Sequence, residues 1–136
     1  MSRTSYRLIA AALLAALAVL ASSWSPGTRI AIAIALGAPS LVLMFVGRYQ
    51  LGSSFAVRPA AKALVTSGLY SRIQHPMYVF LDLGLLAALV ATGWTVAIAV
   101  WLAMVVVQAI QSQREETVLA RAFGAEYEAY RRHTWF

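Results

Sequence analysis

The sequence predicts an all-α integral membrane protein: four transmembrane helices, both termini cytoplasmic, a long cytoplasmic loop and a cytoplasmic C-terminal helix. Three observations carry that expectation. The 136 residues are 61% apolar and 12% charged, about half the charge fraction of an ordinary soluble domain. This counts against a water-soluble enzyme and excludes a disordered chain. The apolar residues gather in four runs, Leu8 to Ala21, Ile30 to Gly47, Met77 to Ala91 and Thr95 to Ile110. The cations lie almost wholly on one side of those runs. Length allows one domain, residues 1–136.

Each run is slightly short of the ~20 residues that span a bilayer core, and flanking residues extend them to helices near 7–24, 29–47, 76–92 and 94–111. The first run is Arg-flanked, rich in Ala and Leu, and ends Val19-Leu20-Ala21-Ser22, as secretory signal peptides do. It is read here as a retained span. Its alanines (Ala10 to Ala12, Ala15, Ala16, Ala18) suit tight helix packing. In the second run, Gly37 and Pro39 predict a bend or a close helix contact. The third begins at Pro76, whose missing N–H costs nothing in a first helical turn. The turn Thr92-Gly93-Trp94 joins it to the fourth.

Orientation follows from charge. Both termini in the cytoplasm put ten cations inside (Arg3, Arg7, Arg48, Arg58, Lys62, Arg72, Arg114, Arg121, Arg131, Arg132) and leave only Arg29 outside. That is the asymmetry the positive-inside rule requires. Trp24 and Trp94 then fall at the outer interface. The net charge of +6 is therefore a membrane signal, and nucleic acid is excluded as a partner because the cations frame apolar helices and lack an aromatic platform. With no cysteine and only His75 and His133, no metal site is expected.

The polar chemistry collects on the cytoplasmic side, in the stretch Arg48 to Pro76 and in the tail from Gln111. His75, Tyr78 and Asp82 are spaced i, i+3, i+7 and share one helix face. Gln108, Gln111 and Glu115 repeat that spacing on the returning helix. His75 and Gln111 lie equally far from Gly93, so the two faces predict a polar notch open to the cytoplasm. Asp82 is the costliest residue, about 9 Å into its helix, where an ionised Asp costs up to roughly 2.5–3.5 kcal/mol. It reads either as a structural partner of Gln108 or as a group that meets a cation or a polar substrate head. The tail predicts a helix over about 112–131, with Leu119, Phe123, Tyr127 and Tyr130 on one stripe and a possible break at Gly124. Glu116 lies on the same side.

From Phe55 to Phe136 these residues form an ordered set. It runs Leu64-Val65-Thr66-Ser67-Gly68-Leu69-Tyr70, His75-Pro76-Met77-Tyr78, Arg114-Glu115-Glu116, Phe123-Gly124-Ala125-Glu126-Tyr127 and Tyr130-Arg131-Arg132. The set resembles the isoprenylcysteine carboxyl methyltransferase family and its phospholipid-methyltransferase relatives, integral membrane enzymes that use S-adenosylmethionine. Gln74 stands where the family has Arg before His-Pro, and Phe80 where it often has Gly. The resemblance implies methyl transfer to a lipidic or membrane-partitioned acceptor, a carboxylate, amine or hydroxyl, reached sideways from the bilayer. It implies a cofactor site among Tyr70, Arg72, His75, Pro76, Tyr78, Gln111, Glu115, Glu116, Phe123 and Tyr127. His75 and Asp82 are the catalytic candidates. The cofactor's ammonium needs a carboxylate, which Glu115 or Glu116 supplies. Its carboxylate needs donors, from His75, the helix N-terminus after Pro76 or Arg72. Two other classes compete: a sterol-reductase-like enzyme using NADPH, and a small helical transporter or non-catalytic membrane protein built around Asp82.

Overall fold

The computed structural model describes residues 3–54 and 63–135. Phe55, Arg58 and Lys62, which entered the expectations above, lie outside them. Four α-helices carry the described residues: α1 (Arg3–Ala21), α2 (Pro26–Leu51), α3 (Pro76–Thr92) and α4 (Thr95–His133). Short 3₁₀ turns sit at Gly52–Ser54 and Gly68–Ser71. There is no strand among the described residues. Helices α1, α2 and α4 are long and apolar enough to cross a membrane, and α3 is a shorter apolar helix of 17 residues.

The observed bounds differ from the expected ones for local reasons. Helix α2 starts at Pro26 because Ser25 caps it, its hydroxyl accepting the Thr28 N–H at 3.3 Å. It runs through Pro39 to Leu51 without an interruption. The fourth span and the tail are one helix, interrupted only at Gly124. Nothing between Ile110 and Phe123 breaks the backbone, so the change from apolar to polar residues alters what surrounds the helix and leaves its geometry unchanged.

Small residues set how closely the helices approach. Ala11, Ala15, Ala18 and Ala21 form the buried seam of α1, while Ala10, Ala12 and Ala16 face outward. That seam meets Leu86 and Val90 of α3 and Ile98, Trp101 and Val105 of α4 in the main apolar cluster. On α2 the buried residues are Gly37, Ser40 and Gly47. A Cβ on Gly37 would stand 3.2 Å from the Ala87 Cβ, so the expected close contact at Gly37 is made with α3. Large apolar side chains point away from the bundle, with Leu13, Leu20, Ile34, Phe45 and Val100 each more than 60% exposed. Apolar surface on that scale is at home in lipid.

Both ends of the described chain meet at one end of the bundle. The Arg3 guanidinium donates to the carbonyls of Arg131 (2.6 Å) and Thr134 (3.1 Å) and to the Thr134 hydroxyl (3.2 Å). At the opposite end, Arg29 lies over Gly93, where a Cβ would collide with it. The return of the tail depends on Gly124, at φ 50° and ψ −119°, a conformation open in practice only to glycine. It lets residues 125–133 fold back, so that the Tyr130 hydroxyl donates to the Tyr70 carbonyl at 2.7 Å and the Trp135 N–H to the Arg72 carbonyl at 2.8 Å.

A Cβ at Gly124 meets open space, so Gly124→Ala tests the backbone alone. It is expected to cost about 1–3 kcal/mol and to expose residues 125–135 to protease. Thermal unfolding in detergent and limited proteolysis measure the two effects. Unchanged values in both would show that the tail docks without this conformation.

Candidate functional site

The site assembles where α3 begins and α4 leaves its apolar stretch. Residue 75 is the last before the α3 helix, and the fully buried Pro76 fixes the helix start beneath it. The His75 side chain is 9% exposed, and its ring stacks on Tyr78 with centroids 5.8 Å apart. Across from it on α4 stand Gln111 and, one turn further on, the adjacent Glu115 and Glu116. The ring spans the two acids, with Nδ1 3.4 Å from Glu115 Oε2 and Nε2 3.5 Å from Glu116 Oε1. Glu115 Oε1 also accepts the Tyr78 hydroxyl at 2.8 Å and the Gln111 amide at 3.4 Å.

The second acid has a different set of neighbours. Arg7 Nη2 of α1 stands 3.7 Å from Glu116 Oε1, and Arg131 Nη2 of the tail stands 3.7 Å from Oε2. Arg7 is fixed by donating from Nη1 to the Ser112 hydroxyl at 2.6 Å. Neither Arg7 Nη2 nor His75 Nε2 makes a hydrogen bond, although both are buried. Burial works to raise both carboxyl groups above the ordinary value. The His75 imidazole with the Tyr78 and Gln111 hydrogen bonds at Glu115, and the same imidazole with the charges of Arg7 and Arg131 at Glu116, outweigh it and hold both below that value. Burial first, and the nearby acids second, push the phenols of Tyr70 and Tyr127 up to about 12. At neutral pH both hydroxyls keep their protons.

The expected residues divide into four groups. His75, Pro76, Tyr78, Gln111, Glu115 and Glu116 come together in this cluster. Tyr127, 1% exposed, lies beside Glu116 in the wall of a cavity of about 560 Å³, together with Thr117, Arg121 and Arg131. Tyr70 and Arg72 support the tail through their carbonyls, the Arg72 side chain is exposed, and Phe123 is half-buried one residue before the break. Asp82 lies deeper along α3. Its carbonyl accepts the Trp101 indole N–H at 3.0 Å and Gln108 is its side-chain partner. Asp82 Oδ1 and Gln108 Oε1 are nonetheless buried without hydrogen bonds.

Sequence reasoning missed Arg3, Arg7, Ser112 and Arg131 as parts of this end of the molecule. Their charges read as topology signals, and no local spacing links α1 to a tail more than a hundred residues away. No group of three or more His, Cys, Asp or Glu able to hold a metal occurs among the described residues.

The phospholipid methyltransferase family profile matches residues 28–126. The chain belongs to that family. Comparison with curated proteins gives no match, and comparison with solved structures gives none. The matched segment holds α2, α3 and α4 to just beyond Gly124, so Arg3, Arg7, Tyr127 and Arg131 stand outside it. Methyltransferases of this family use S-adenosylmethionine. The donor set here suits that molecule, with carboxylates for an ammonium, guanidiniums for a carboxylate and tyrosine rings close by. The cavity also falls in the 300–1,000 Å³ range of small-molecule sites.

Both carboxylates are held below their ordinary value, so their contribution to stability is complete above pH about 4.5 and is lost as pH falls through the lower folded values. The melting temperature in detergent is therefore expected to fall below pH about 4.5, and to fall less in a Glu115→Gln/Glu116→Gln double variant. Tyr78→Phe removes one hydrogen bond to a charged group and is expected to cost about 1.5 kcal/mol at neutral pH. Equal acid sensitivity in wild type and double variant would remove these acids from the stability of the bundle.

Proposed function

We propose that this protein transfers a methyl group from S-adenosylmethionine to a lipidic acceptor at the cytoplasmic face of a membrane. The observation that carries the reading is His75, held between Glu115 and Glu116 with Tyr78 stacked on it, beside a cavity of about 560 Å³. Family membership supports methyl transfer. The cytoplasmic face is favoured because this end of the bundle carries Arg3, Arg7, Arg72, Arg121 and Arg131, while Arg29 lies at the other.

When bound, S-adenosylmethionine supplies an electrophilic methyl group on a sulfonium centre. The chain's own part is to bind, to align and to manage a proton. Glu115 and Glu116 offer negative charge to the donor's ammonium, and Tyr70, Tyr78, Phe123 and Tyr127 offer ring faces to its adenosine. Gln111 and Tyr78 keep Glu115 in place. Arg72, His75 and the start of α3 at Pro76 are donors on the same side. Alignment of the two reactants provides much of the rate in an in-line displacement.

The acceptor decides whether a base is needed. A carboxylate acceptor needs none, whereas an amine or a hydroxyl must lose a proton. His75 Nε2, buried and without a hydrogen bond, is placed to take it. Asp82, two turns further into the apolar region on the same face, suits a polar lipid head that arrives from the bilayer side. Membership in a methyltransferase family sets the reductase reading aside. The orphaned oxygens of Asp82 and Gln108 favour one second reading, proton-coupled transport through the apolar part of the bundle.

Titration calorimetry in detergent with S-adenosylmethionine and S-adenosylhomocysteine tests the first reading. Wild type is expected to bind both. His75→Ala is expected to lower transfer of tritiated methyl into extracted lipids by roughly 10²-fold or more, and Asp82→Asn to lower transfer while sparing donor binding. A folded wild type that binds neither ligand would overturn the enzyme reading. Proton-driven uptake in liposomes, abolished by Asp82→Asn, would then establish the transporter.

A further inference from the structure

Glu116 and Arg131 stand side by side in the wall of the 560 Å³ cavity, with Arg131 Nη2 3.7 Å from Glu116 Oε2. That separation is too long for a hydrogen bond, so charge alone pairs the two groups and neither spends a hydrogen bond on the other. Arg131 is 39% exposed and Glu116 16%. Arg121 adds a second cation to the same wall. Glu115 differs in accepting hydrogen bonds from the Tyr78 hydroxyl and the Gln111 amide, whereas Glu116 has His75 and Arg7 nearby at 3.5 and 3.7 Å, beyond close hydrogen-bond range.

An amino-acid end carries its ammonium and its carboxylate on one carbon. Its receptor must therefore present an acid and a base within a few ångströms of each other. Glu116 and Arg131 meet that requirement. The donors that the sequence offered for the carboxylate meet it less well, since His75 is held between two acids and Arg72 lies away from the cavity wall. Gln74 is 7% exposed with both amide atoms unpartnered, and it does not line the cavity either.

Resting on the donor reading above, we propose that Arg131 is a specificity-determining residue: it receives the carboxylate of the methyl donor while Glu116 receives the ammonium. Gly124 turns the tail back on itself, and Arg3 fixes it by binding the Arg131 carbonyl at 2.6 Å. The tail therefore completes the donor site with a residue outside the matched family segment. Because Arg3 holds the backbone of Arg131, a side-chain substitution leaves that tie in place.

The test is titration calorimetry in detergent with S-adenosylmethionine and with decarboxylated S-adenosylmethionine, which keeps the ammonium and lacks the carboxylate. Wild type is expected to favour the carboxylated donor by roughly tenfold or more. Arg131→Gln is expected to erase that preference by weakening only the carboxylated ligand, and Arg131→Lys to retain part of it. Glu116→Gln is expected to weaken both ligands. Thermal unfolding checks that each variant is folded.

If Arg131→Gln keeps the wild-type preference, the proposal is overturned and the donor reading stands. Parallel weakening of both ligands by Arg131→Gln gives the residue a structural role and also overturns it. Should Arg131→Gln fail to fold, the wild type still decides, since equal affinity for the two donors sinks the proposal. A wild type that binds neither donor overturns the donor reading itself.

Discussion

The polar end of this molecule depends on keeping two adjacent carboxylates ionised in a partly dry place. Consecutive residues on a helix point about 100° apart, so Glu115 and Glu116 draw on different surroundings. Glu115 is met by neutral donors, Tyr78 and Gln111, and by one ring nitrogen of His75. Glu116 is met by the other ring nitrogen and by two arginines. One imidazole thus joins the two halves of the cluster. The cluster draws side chains from α1, α3, α4 and the tail, so it fastens together segments that are far apart in the chain. Removing any one cation would leave a buried carboxylate less well compensated, which is costlier than never having had the pair.

That fastening needs the helices to stand at a fixed distance and height. Helices gain no hydrophobic driving force from each other in lipid, so close backbone approach through small residues takes its place. The alanine seam of α1 and the contact of Gly37 with Ala87 supply it. The tight turn at Gly93 then sets α3 and α4 level. Equal counts of residues back from that turn bring His75 level with Gln111, and the two acids follow about one turn further along α4. Packing in the apolar region is therefore what makes the chemistry at the polar end possible.

Much of this was legible in the sequence, and the part that was not has a physical reason. Four apolar runs announced four helices, and the spacing of His75 with Tyr78 and of Gln111 with Glu115 announced two faces at the same height. Both signals are local, carried by helical periodicity. Arg7 and Arg131 gave none. Their contacts with Glu116 depend on how α1 and the tail dock, and an arginine beside a membrane helix looks the same whether it faces water or a carboxylate. Gly124 marked a possible break, but its positive φ and the direction in which it sends the tail are tertiary facts. Asp82 stands out in the sequence as costly, yet the sequence leaves open what it meets. Its partner Gln108 satisfies only part of the pair's hydrogen-bonding capacity.

The two polar zones differ in how completely they are satisfied, and the difference fits their positions. At the polar end most acceptors on Glu115 and Glu116 have a donor or a cation within 4 Å. Water can also reach the tail there, so exchanging an internal partner for a ligand's ammonium or carboxylate costs little. Asp82 and Gln108 lie inside the apolar region, where a missing hydrogen bond is expensive because no solvent replaces it. Under the proposed function, a zwitterionic, water-soluble donor would suit the first zone. A polar head carried on an apolar tail would suit the second, since it would arrive already dissolved in lipid and bring donors to acceptors that have none. The i, i+7 relation of His75 and Asp82 puts both zones on one face of α3, about 10 Å apart along its axis. Two reactants of opposite solubility can therefore meet along a single helix without either having to cross into the other's solvent.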